Sequence, residues 1–214
     1  MKVYAEYFEE NGLAFRTNTI LQFGESWELI GNVVLANPGS AVPSDKINVI
    51  EIEKLKLFYA SYREDQSFSQ NNWYEFSDDA TMRFVEKIFN GGYLNKNKKL
   101  NGVIQLFNTF NIKNQNLEEA VKQIGTKSTL LFSIGIEKYF HDKATYFGFS
   151  NEILSNEILQ PIAKDIFNNS SKKVKSIYKE NFIDNSFYHP MYINRAYNQE
   201  HFQGYKNDIL QQII

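Results

Sequence analysis

Apolar and polar positions alternate from the first residues. Lys2 to Phe8 and Leu13 to Phe23 carry a period near two, broken by Asn11-Gly12, so the pattern predicts two strands in a hairpin. Trp27 to Ala36 is an apolar run predicted as a buried strand, stopped by Asn37-Pro38-Gly39. Ile47, Ile50, Leu55, Phe58 and Tyr62 repeat at helical spacing, and Ser61 to Ser77 reads as a loop. Asp78 or Asp79 caps a predicted helix over Ala80 to Phe89, with Met82, Val85, Ile88 and Phe89 on its apolar face.

Further along, Val103 to Phe110 is a second core strand. Asn116 caps a helix closed by Gly125. Thr129 to Ile134 reads as a third strand ending at Gly135. Asn156 to Phe167 is predicted helical, Val174 to Tyr178 a short fourth strand, and Gln199 to Ile213 a closing helix. The Asn/Lys-rich stretch Asn90 to Asn101 reads as a surface loop. Strands alternating with helices predict one α/β domain over residues 1–214, with parallel crossovers rather than a sandwich.

Composition narrows the chemistry. Aromatics reach 15%, with 18 Phe and 13 Tyr, enough for core volume and for surfaces that stack on bases. The absence of cysteine excludes disulfides, thiolate metal sites and a Cys nucleophile. The three His do not cluster with carboxylates at metal spacing, so neither a metal nor a cofactor is expected. No signal-peptide pattern and no apolar stretch near the roughly 18 residues of a membrane span is present, so a cytoplasmic monomer without a membrane partner is the expectation. The formal net charge of −2 gives no global pull on nucleic acid, though the field that matters is local.

In an open parallel sheet, ligands bind beyond the carboxyl ends of the strands. Four sequence features fall there, and together they resemble the motifs of the uracil-DNA glycosylase superfamily. They are Asn37-Pro38-Gly39 after a strand, Gly102-Val103 opening a strand that ends at Asn108, Leu130 to Gly135, and His189-Pro190 near the C-terminus. Asn-Pro-Gly is the form seen in the mismatch-specific branch. The chain departs from the superfamily at Met191, where a Ser is usual, and at Leu35, where a Gly is frequent. The runs Asn37 to Ala41, Asp78 to Thr81 and His189 to Tyr192 are also similar to a small bacterial and phage domain with an Asn-Pro-Ser-Thr-Ala motif, which carries no assigned chemistry.

The first resemblance implies a three-layer α/β/α fold around a short, mainly parallel four-stranded sheet. It also implies a monofunctional, metal-independent DNA glycosylase that leaves an abasic site. Breaking an N-glycosidic bond requires a placed water, a donor for the departing base anion and a pocket for a flipped base. Asn37 would orient the water and His189 would donate to the base; otherwise Asn37 simply closes a turn and His189 is an inert loop residue. His141 and His201 read as surface or helix residues. Asn108 would read a base edge or satisfy a strand-end backbone group. Trp73, Tyr74 or Phe76 would stack on the base or fill core and loop. Tyr192 or Ile193, beside Pro190, would fill the gap left by the flipped nucleotide.

Uracil-specific relatives have a Tyr where this chain has Gly39, and that Tyr blocks a base's 5-substituent. Gly39 therefore implies a 5-substituted or mismatched pyrimidine, with defence against modified phage DNA as one setting. Lys172, Lys173 and Lys175, with Lys179, would contact phosphates, as would Lys96, Lys98 and Lys99, unless both clusters are plain solvated surface. An enzyme on free nucleotides or nucleosides, and a non-catalytic binding module, are the competing classes.

Overall fold

The N-terminal alternation becomes the hairpin of β1 (Lys2–Glu10) and β2 (Leu13–Phe23). Asn11 and Gly12, at φ 54° and 75°, make the two-residue left-handed turn that Asn-Gly favours. The computed structural model describes residues 1–64, 68–183 and 186–214. The remaining strands are β3 (Leu29–Leu35), β4 (Pro43–Lys46), β5 (Trp73–Phe76), β6 (Gly102–Asn108) and β7 (Thr145–Phe147). All seven form one mixed sheet in the order β4-β5-β1-β2-β6-β3-β7.

The expected short, mainly parallel four-stranded sheet is therefore corrected. Only β6, β3 and β7 run parallel, with β3 in the middle. The hairpin extends this trio because β2 pairs antiparallel with β6, Thr19 opposite Leu106. Strand β5 then adds to β1, Val3 opposite Phe76, and β4 closes the edge. β5 lies in the stretch expected to be loop; residues 65–67 of that stretch are outside the described residues.

Two other strand expectations are also corrected. Thr129 to Ile134 makes only an isolated bridge, Phe110 to Phe132. The Asn111 backbone N–H bonds Leu131 O, its Nδ2 donates to Leu130 O, and Ser133 Oγ donates to its Oδ1. With the Ser133 N–H bond to Thr109 O, these bonds tie the segment to the end of β6 without building a ladder. Val174 to Tyr178 is largely helical: Ser171 caps a helix over Lys172–Ser176, and Val174, Ile177 and Tyr178 are buried at helical spacing.

Helices α1 (Val49–Tyr62), α2 (Ala80–Phe89), α3 (Leu117–Lys122), α4 (Asn151–Leu154), α5 (Leu159–Asn169), α6 (Lys172–Ser176) and α7 (Pro190–Ala196) flank the sheet. Residues 200–213 form a broken run of 3-10, α and π turns rather than one closing helix. Neighbouring strand residues point to opposite faces. Tyr4, Ile20 and Val103 join α1 residues Ile52, Leu55 and Phe58 in one cluster, whereas Val3, Ala5, Leu21 and Ile104 join the larger one with α2 and α7. Asn48 starts α1 by accepting from Glu51 N–H, while its own amide donates to the Glu51 carboxylate. Among the described residues, no helix is long and apolar enough to cross a membrane.

Candidate functional site

The parallel trio ends in a cleft. Strand β3 runs out into Ala36-Asn37-Pro38-Gly39, and β7 into Gly148-Phe149-Ser150. The start of α2 and the start of α7 complete the walls, enclosing about 840 Å³. Asn37, Gly39, Asp79, His189 and Tyr192 all line it. Two of the sequence motifs, separated by some 150 positions along the chain, therefore meet in one place.

Asn37 is half-buried, and both protons of its amide are committed. Nδ2 donates to Ile112 O at 3.3 Å and to Asn114 O at 2.9 Å. The side chain thus holds the loop after β6, and its oxygen is left as the acceptor. Gly39 has φ +67°, a conformation that disfavours any side chain. A Cβ there would meet only Asp79 Oδ2, at 3.5 Å, so the wall at this point is open.

His189 is the N-cap of α7, and Pro190 supplies the first helical φ. Its Nδ1 accepts from Met191 N–H at 3.3 Å. In the neutral ring the proton therefore sits on Nε2, which is a donor. Burial holds the imidazole below its ordinary pKa, although Asp79 and Glu152 pull the other way. The loop is anchored by Tyr146, whose hydroxyl donates to Tyr188 O. Gly148 admits it: a Cβ at 148 would fall 3.1 Å from Pro190 Cδ and 2.7 Å from Leu35 Cδ2.

Other expected site residues lie elsewhere. Asn108 is buried and lines a second hollow of about 430 Å³ with Glu6, Asn18 and Ser133. Trp73 faces the α1 cluster, edge-on to Tyr59 at 5.6 Å. Tyr74 packs under Lys46, and Phe76 lies in the core. None of these three aromatics lines the cleft. Ile193 is fully buried, which corrects its expected place as a wedge, and Pro190 is buried beside it. Tyr192, by contrast, is 42% exposed and stacks on Tyr188 at 4.9 Å. Lys172, Lys173 and Lys175 sit on α6 outside the cleft lining; Lys172 pairs with Glu180, and Lys175 donates to Asn168 O. His141 is exposed and donates to Tyr62 O at 2.7 Å.

No family model, curated protein or solved structure matches the chain. The cleft is read from its own chemistry.

Three groups in it escape a reading of sequence alone. Arg16, on β2, is 2% exposed and lines the cleft, with Nε and Nη1 enclosed and without a partner among the described residues. Its charge lies 5.5 Å from the centre of the Phe76 ring. Asp79 caps α2 through Oδ1 and is within electrostatic reach of both Arg16 and His189. Ser150 starts α4 without making a side-chain cap, and its buried hydroxyl has no partner among the described residues. The clue to Arg16 was in the hairpin register: the Asn-Gly turn puts Arg16 opposite Tyr7, on the face that Val3 and Ala5 bury. The described residues hold no group of three His, Asp or Glu side chains placed to share an ion.

Proposed function

We propose that the cleft hydrolyses the N-glycosidic bond of a flipped pyrimidine in DNA, 5-substituted or mismatched, and leaves an abasic site. The observation that carries this reading is the meeting of Asn37, Gly39 and a neutral, donor-bearing His189 in one cleft beyond the strand ends. Water is the nucleophile. Asn37 Oδ1 accepts a hydrogen bond from it and orients it, since an amide is too weak a base to take its proton early. The water oxygen bonds to C1′, the base departs with the electron pair of the C–N bond, and the water's proton is released. Nε2–H of His189 donates to the oxygen of the departing anion, a stabilisation worth most where water is excluded. The open wall at Gly39 leaves room for a substituent at C5, and Tyr188 with Tyr192 offers a stacking face.

A second reading is favoured by one feature. The α6 lysines stand outside the cleft, and its lining balances Asp79 and Glu152 against Arg16 and Arg195. That arrangement suits a free, uncharged nucleoside better than a polymer. The test supplies both forms of substrate: duplexes containing uracil, mismatched thymine, hydroxymethylated or glucosylated cytosine, and the matching deoxynucleosides. Abasic sites in a duplex, revealed by alkaline strand cleavage, support the first reading. Base release from the nucleosides alone supports the second.

A further inference from the structure

A guanidinium enclosed in a protein core is costly unless its N–H groups find acceptors. Arg16 finds none among the described residues: Nε and Nη1 are buried and unpartnered, and no carboxylate comes within ion-pair distance. Lys113, close enough to feel its charge, is another cation. Among the described residues, the anion whose charge acts on Arg16 is Asp79, which also lines the cleft and caps α2 through Oδ1. Arg16 and the Asp79 carboxylate therefore border the same space, beside the open wall at Gly39.

We propose that Arg16 and Asp79 read the polar edge of the base, and that the base is a cytosine. The inference rests on reading the cleft as a nucleobase site. Cytosine presents O2 and N3 as adjacent acceptors, followed by an exocyclic amine that donates. A guanidinium meets two adjacent acceptors in its own plane, and a carboxylate accepts from the amine. Uracil and thymine place an N–H between two carbonyls, so the fork would face a donor there. A neutral base suits the pair, because Asp79 already sits where a phosphate or carboxylate ligand would be repelled. With Gly39 open, the ligand class is a cytosine carrying a substituent at C5.

The experiment is a calorimetric titration of the whole chain with 2′-deoxycytidine, 5-hydroxymethyl-2′-deoxycytidine, 2′-deoxyuridine and 5-hydroxymethyl-2′-deoxyuridine. The proteins are wild type, Arg16→Met and Asp79→Asn; the Asn retains a capping oxygen, so α2 keeps its start. Wild type is expected to bind the cytidines at least about tenfold more tightly than the uridines. Arg16→Met loses about tenfold or more of the cytidine affinity, and with it the preference. Asp79→Asn weakens cytidine binding while melting near the wild-type temperature. Equal or tighter binding of uridines by wild type, no binding of any nucleoside at millimolar concentration, or unchanged affinity in folded Arg16→Met overturns the proposal. Binding is read here without chemistry, so the two ideas fail separately. Cytidine binding that depends on Arg16, without base release from any duplex, sinks the glycosylase reading alone. Base release that survives Arg16→Met unchanged sinks the edge-reading proposal alone.

Discussion

Replacing Arg16 with Met should make the protein more stable. Each buried donor left without an acceptor costs about 1–3 kcal/mol, and more for a charged group. Arg16 has two such donors, Nε and Nη1. Against this stands the attraction between its charge and the Phe76 ring, about 2 kcal/mol in a desolvated setting. Asp79 adds little, because it does not reach ion-pair distance. Met fills a similar length with a flexible, apolar chain. Exchanging buried ionic groups for apolar ones of like volume is neutral or stabilising by about 1–4 kcal/mol. A net gain of about 1–3 kcal/mol is expected, which at roughly 2–4 °C per kcal/mol for a chain of this size raises Tm by about 2–12 °C. Differential scanning calorimetry, paired with urea denaturation, measures it. A stability gain alongside lost ligand affinity is what a binding residue held at some cost to the fold should show. A fall in Tm of several degrees would mean that Arg16 supports the fold rather than a ligand.

Three more outcomes follow from the same geometry. The Glu51 carboxyl is pushed up by burial, but hydrogen bonds from Lys2 and Tyr4 and the charge of Lys2 outweigh this and hold it below its usual range. Its contribution to stability is therefore complete above the ordinary carboxylate pKa and is lost as pH falls through the depressed value. Glu51→Gln should flatten that acid limb, and urea midpoints from pH 7 down to 3 record it. Gly39→Ala places a Cβ at φ +67° and should cost about 1–2 kcal/mol, read as a lower urea midpoint with an unchanged m-value. The His189 ring should titrate below the ordinary imidazole range by NMR; protonation takes away the Nδ1 lone pair that accepts from Met191 N–H, so activity should fall on the acid side of that midpoint.

The parts of the fold written in local chemistry were legible. The Asn11-Gly12 turn, the caps at Asp79 and Asn116, and the apolar runs of β3 and β6 appear where their sequences place them. What was missed depends on partners distant in sequence. β7 has only three residues, too few for a period, and is a strand because β3 offers an open edge. β5 sits among polar residues and is a strand because β1 pairs with it. The Thr129 to Ile134 run looked like a strand by composition, yet it holds to Thr109–Asn111 by two backbone bonds and one from the Asn111 side chain to Leu130 O, short of a ladder. In the cleft, motifs flanked by proline and glycine pointed to Asn37, Gly39 and His189. Arg16 and Asp79 looked ordinary, one a strand charge and the other a cap, until strand β2 and the start of α2 brought both to the same space.

Release of a free base under single-turnover conditions would report glycosidic-bond hydrolysis by the cleft without any intermediate step. Duplexes carrying 5-hydroxymethylcytosine, glucosylated hydroxymethylcytosine, uracil or mismatched thymine would be mixed with excess protein, and the liberated base counted by mass spectrometry. Wild type, Asn37→Ala and His189→Gln would be compared after each is shown to be folded. Wild type is expected to release a 5-substituted base, with losses of about a hundredfold or more in His189→Gln, the size expected for removing one donor from a developing oxyanion, and a clear loss in Asn37→Ala. Release of no base from any duplex by folded wild type, or equal release by all three proteins, would contradict it.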